Sequence, residues 1–117
     1  QKDIIDAFRE VSDFTPPTEF EHVAKLGREY IDYGVKMGEG WLLVAEMAEH
    51  IDSGVKSIVC TQPFGCLPNH IVGKGAMKVV KEKNPEVNII AVDYDASASE
   101  INQKNRIKLL LANAGME

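Results

Sequence analysis

Apolar positions recur with helical spacing in five stretches of the chain and close up into continuous runs in two. Residues 2–11 set Ile4, Ile5 and Phe8 against Lys2, Asp6, Arg9 and Glu10, a short amphipathic helix that needs packing to persist. Pro16-Pro17 imposes an extended connector before residue 18. Thr18 and Glu21 then have the spacing of a capping box. From 19 to 35, Phe20, Val23, Ala24, Gly27, Tyr30, Ile31 and Gly34 predict a long amphipathic helix. Met37-Gly38-Glu39-Gly40 interrupts it, and its two glycines permit a sharp turn or a close backbone approach.

A helix over 41–52 follows, with Trp41, Val44, Met47, Ala48 and Ile51 on one face and Gly54 as its C-cap. Residues 56–61 read as a buried strand and 69–84 as a helix capped by Asn69 and stopped by Pro85. The run over 87–94 predicts a strand covered on both faces. Ser97 and Glu100 form a second capping box, opening a helix over 98–114 that Gly115 ends. Strand, helix, strand implies a crossover and two parallel strands. The predicted class is α/β: a small parallel sheet flanked by helices in the order helix-helix-strand-helix-strand-helix, a Rossmann-like half-lobe over 18–117. Residues 1–17 supply a preceding helix and Pro-rich connector. Two strands are few for this much helix, and the chain begins with Gln1, so it reads as an excised fragment of a longer protein.

Composition narrows the function classes. The net charge is −5 and no Lys/Arg run occurs, which argues against nucleic acid and anionic membranes as partners. No apolar run is long enough to span a bilayer. Two cysteines are too few for a small secreted disulfide scaffold, so a reduced, cytoplasmic setting is expected.

Both cysteines lie in Cys60-Thr61-Gln62-Pro63-Phe64-Gly65-Cys66-Leu67-Pro68-Asn69-His70, a strand end, a bent loop and a helix start. Open α/β sheets place ligand sites at such a junction. Parallel strands end on one edge, so Cys60 is expected near Asp93, Tyr94 and Asp95, with Cys66 beside helix N-terminal amides that favour thiolate. Metal ligation by Cys60 and Cys66, a thiol–disulfide pair and inert core thiols all fit this spacing. His70 is a candidate third ligand or a capping residue. Asp93 and Asp95 are a candidate metal pair or ordinary turn residues. Asn102 and Asn105 either reach the sheet edge or satisfy helix–loop bonds. Thr61, Gln62 and Asn69 complete the candidate surroundings. Trp41 reads as core or cleft wall, and Gly73-Lys74-Gly75 lacks the spacing of a phosphate loop.

Gly38-Glu39-Gly40-Trp41-Leu42, the cysteine loop, Gly73-Lys74-Gly75, Asp93-Tyr94-Asp95, Ser99-Glu100-Ile101-Asn102-Gln103 and Asn105-Arg106-Ile107-Lys108 together resemble one group. They are similar to the C-terminal region of CoA-substrate-specific enzyme activases, the acyl-CoA dehydratase activase-related proteins. The resemblance runs from about Pro16 to Ala114. It implies a lobe like those of 2-hydroxyacyl-CoA dehydratase subunits, within a chain that also carries an ATPase activase module. It further implies that Cys60, and Cys66 as a second ligand, help hold an iron–sulfur cluster of 4Fe-4S type for ATP-driven, low-potential electron transfer. A dehydratase partner follows from the same resemblance. The dehydratase subunits do not share the loop's second cysteine, and nothing in the chain resembles an acyl-CoA site. The competing expectation is a non-catalytic structural or docking domain without a metal, using exposed aromatics such as Tyr30 and Tyr33.

Overall fold

In the computed structural model the described residues form five α-helices, a π-helical turn and a two-stranded parallel sheet. The structure describes residues 1–32, 34–35, 38–63, 65–94 and 98–115. Helices α1 (Lys2–Val11), α2 (Phe20–Gly27) and α3 (Gly40–Asp52) precede strand β1 (Ser57–Pro63). The π-turn (Pro68–Gly73), α4 (Lys74–Lys83), strand β2 (Asn88–Tyr94) and α5 (Glu100–Asn113) follow. The expected α/β half-lobe is therefore what forms.

The sheet is parallel and in register from Ser57 opposite Asn88 to Pro63 opposite Tyr94. One face carries Ile58, Cys60 and Gln62 beside Ile89, Ala91 and Asp93. Ile58, Cys60 and Ile89 join Val44 and Met47 of α3, Val72 of the π-turn and Val80 of α4 in the core. The other face is only partly covered. Val92 is buried there, but on β1 Val59, Thr61 and Pro63 are exposed. β1 is thus buried on one face rather than two, and it runs two residues beyond the predicted end at Thr61.

Several local expectations give way to packing. The predicted helix over 19–35 stops at Gly27, where a β-carbon would sit 2.6 Å from Ala45 Cβ. That close crossing of α2 on α3 needs glycine, which is also the weakest ordinary helix former. The chain then turns so that Tyr30, Ile31 and Val35 pack against the core. Tyr30 is half-buried, accepts a hydrogen bond from Asn84 Nδ2 at 3.0 Å and lies under Lys83, so it is no exposed interface aromatic. Tyr33 lies outside the described residues. Thr18 does not cap α2; its hydroxyl donates to Glu49 of α3. Ser97 lies outside the described residues, and α5 is preceded by Ser99 at the cap position without a side-chain cap bond.

The glycine expectations before α3 hold on both counts. Gly38 has φ +54° and makes the turn, while Gly40 lies against Val72. Gly54, at φ +91°, closes α3: its N–H donates to Ile51 and that of Val55 to His50. Trp41 is half-buried and packs edge-on against Phe20, with ring centroids 6.1 Å apart, joining α3 to α2. No helix among the described residues is long and apolar enough to cross a membrane.

Candidate functional site

The strands end together, and an open cleft of about 740 Å³ lies at that edge. His70 of the π-turn, Lys74 at the start of α4, Asp93 near the end of β2, and Asn102, Asn105 and Arg106 of α5 line it. Four of these were candidates from the sequence alone: His70, Asp93, Asn102 and Asn105. Their meeting follows from the parallel crossover, which puts the ends of both strands and the following helix starts on one side.

α5 is fastened to this edge by polar side chains. Gln103 Nε2 donates to the Asp93 carbonyl at 2.8 Å and Arg106 Nη1 to the Ala91 carbonyl at 2.9 Å. The sequence reading missed Gln103, Arg106 and Lys74. The doublets Asn102-Gln103 and Asn105-Arg106, repeated at helical spacing, were the available signal for the first two.

The π-turn positions His70 through the cysteine loop. Pro68 has no N–H to give, and Lys74 N–H reaches back five residues to the Asn69 carbonyl. Asn69 is not an N-cap here, because its Nδ2 donates to the Thr61 carbonyl at 2.9 Å and ties the turn to β1. His70 Nδ1 lies 3.2 Å from the Cys66 carbonyl, an acceptor, so Nδ1 carries the proton. Nε2 then faces Asp93 Oδ1 at 4.0 Å. That carboxylate oxygen is buried and has no hydrogen-bond partner. In the neutral ring Nε2 is also an acceptor, so the gap between them suits a hydrogen-bond donor or a cation.

Gln62 adds a second unpartnered acceptor. It sits opposite Asp93 in the register, on the same face, and is 0% exposed. Its Nε2 donates to the Asn69 carbonyl at 3.2 Å, which leaves Oε1 without a partner. A buried acceptor left unpaired costs about 1–3 kcal/mol. Asp95 lies outside the described residues, so the expected Asp93–Asp95 pair has one described member.

The cysteines separate by environment. Because β1 continues to Pro63, Cys60 lies opposite Ala91, and Gln62 takes the place opposite Asp93. Cys60 is a buried core residue whose sulfur would lie 3.8 Å from a β-carbon on Gly73. Burial pushes its thiol above the ordinary value of 9.0, with the Gln62 side chain opposing the rise. Cys66 is half-buried in the loop beside His70. Both thiols are free, and the described residues contain no group of three or more His, Cys, Asp or Glu side chains able to hold a metal ion. Of the two thiols, Cys66 is the one placed in the loop beside His70, and Cys60 is packed in the core.

This contrast has a measurable outcome. Cys66 is expected to react with an alkylating reagent at least about tenfold faster than Cys60 under native conditions, as mass-spectrometric mapping would show. Folding holds Cys60 neutral, so its contribution to stability is complete below pH 9.0 and falls above it, where the unfolded chain ionises first. Cys60→Ala should flatten that alkaline decline in a urea-melt series. Equal labelling rates would place both thiols in the loop environment.

In comparisons with family models, curated proteins and solved structures, no match to this chain is found.

Proposed function

We propose that this chain is a binding lobe of an acyl-CoA dehydratase activase-related protein, with its working surface in the cleft at the C-terminal ends of the strands. The observation that carries the proposal is the convergence of His70, Lys74, Asp93, Asn102, Asn105 and Arg106 around that cleft, with Cys66 one hydrogen bond away through His70. In this reading Cys66 offers one thiolate to an iron–sulfur cluster whose other ligands come from elsewhere in a longer chain that also holds the ATPase module. Such a cluster, when bound, supplies one-electron transfer at low potential to dehydratase-type chemistry. His70 and Asp93 would place or receive a proton beside it, and Asn102 and Asn105 would orient polar groups of a bound partner or ligand. Cys60 packs the core.

The test is anaerobic iron and sulfide analysis with absorption and spin-resonance spectra on the full-length parent. Cys66→Ser is expected to lose most of the bound iron, whereas Cys60→Ala should retain it and lose stability instead. Loss in both variants would make Cys60 a ligand after all. Unchanged iron in both would remove the metal from this lobe. The second reading, a docking domain without a metal, would then hold, and the core burial of Cys60 already favours it.

A further inference from the structure

The two strands present unlike outer edges. In a parallel pair the N–H and C=O of one residue point to the same side, and the side alternates along the strand. Asn88 N–H donates to the Lys56 carbonyl at 2.8 Å, so Ile58, Cys60 and Gln62 address β2 with their backbones. Ser57, Val59 and Thr61 therefore address the outside. On β2 the same alternation turns Ala91 and Asp93 outward, and those are the carbonyls that Arg106 and Gln103 occupy. The outer edge of β2 is thus covered by α5.

The outer edge of β1 is not covered in this way. Asn69 bonds the Thr61 carbonyl, and among the described residues no hydrogen bond reaches the outward groups of Ser57 and Val59. Natural edge strands are usually blunted by charges, bulges or proline. Here Ser57-Ile58-Val59-Cys60-Thr61-Gln62 carries no charge, and proline comes only at residue 63. A groove of about 350 Å³ runs along this edge, walled by Leu43, Glu46 and His50 of α3 and by Glu39 at its N-cap. Glu39 and Glu46 are exposed, and Val59 is 41% exposed on the opposite face.

We propose that the outer edge of β1 takes up an extended segment of another polypeptide as an added strand, one bearing lysine or arginine toward α3. Backbone groups of Ser57 and Val59 supply the pairing, as in other cases of strand addition. Charge selects the occupant. Glu39 at the N-cap of α3 and Glu46 within it stand about 10 Å apart at the helical rise, within reach of long basic side chains at same-face positions of a strand, about 7 Å apart. A second copy of this chain would instead bring two such acidic walls together, on molecules that each carry a net charge of −5. The inference does not depend on the iron–sulfur reading.

The experiment titrates the isotope-labelled chain with a blocked octapeptide alternating lysine and valine, and with its glutamate counterpart, while backbone amides are followed by NMR. The lysine peptide is expected to shift and protect the Ser57, Val59 and Thr61 amides, to bind more weakly as salt rises, and to outbind the glutamate peptide by about tenfold or more. Val59→Pro deletes an outward N–H and leaves the ladder to β2 intact, so affinity should fall about tenfold. Glu46→Lys, which leaves the backbone unchanged, should weaken the lysine peptide and favour the glutamate peptide. Shifts confined to the polar cleft, or equal binding of both peptides by Glu46→Lys and the parent, would overturn the proposal. So would edge protection that grows with protein concentration in the absence of peptide, since a second copy would then be the occupant.

Discussion

Ile89→Ala is expected to cost about 2–5 kcal/mol, the range for removing a large aliphatic side chain from a rigid core. Ile89 is fully buried, on the same sheet face as its register partner Ile58, in a core that also holds Val44, Met47, Val72 and Val80. These neighbours come from α3, the π-turn, α4 and β1, so no single element can move in to fill the space. Domains of this size have about 5–15 kcal/mol of stability in total, and the variant would surrender a large part of it. Val59→Ala, on the open face of β1, should cost less than about 1 kcal/mol. Urea unfolding of both variants measures the difference as a shift in midpoint at constant slope. Equal losses would mean that the two faces of the sheet are not divided as described.

How far the sequence foretells this fold depends on whether each residue's role is local. β2 was legible because Ile89, Ile90, Ala91 and Val92 are apolar in succession, and both predicted strands form. The one-sided burial of β1 was not legible, because Val59 is apolar although it faces outward. Alternation disappears from a sequence when an exposed face also carries a hydrophobic side chain. The over-long helix at 19–35 has a related cause. Gly27 fits a helical stripe of small residues equally well as an interior position or as a point of close crossing, and only the distance to Ala45 separates the two. Asn69 and Thr18 have strong capping preferences, yet partners remote in sequence, Thr61 and Glu49, take their side chains.

The cleft followed from topology more than from motif. His70, Asp93, Asn102 and Asn105 meet because parallel strands end on one edge, a rule that needs only the element order. Cys60 was misplaced because ending β1 at Thr61 puts it beside Asp93. Extending the strand to Pro63 moves it two positions down the ladder and into the core. Arg106 and Gln103 bond backbone carbonyls of β2, and such contacts leave no complementary side chain in the sequence to betray them.

Gly40→Ala should couple the core to the cleft. Alanine in a helix is ordinarily the better choice by about 0.5–1 kcal/mol, and at an open site the substitution would stabilise α3. At Gly40 the new methyl would lie 2.7 Å from Val72 Cγ2 and 2.9 Å from Val72 Cβ. Val72 is buried and part of the π-turn, and its Cβ is fixed to the backbone, so no side-chain rotation removes the contact. Either α3 or the π-turn must move, at a cost of about 1–3 kcal/mol for overpacking. Val72 lies two residues beyond His70 on that turn, so displacement should also disturb the approach of His70 Nε2 to Asp93 Oδ1, now 4.0 Å. The expected result is a lower urea midpoint together with changed NMR shifts for His70 and Asp93. Adding Val72→Ala removes the 2.7 Å contact to Cγ2 and leaves the 2.9 Å one to Cβ, so the clash should be relieved in part and the double variant should lose less than the sum of the two single losses. A single variant as stable as the parent, with His70 and Asp93 unmoved, would show that the contact between α3 and the π-turn is loose and that the cleft is positioned independently of it.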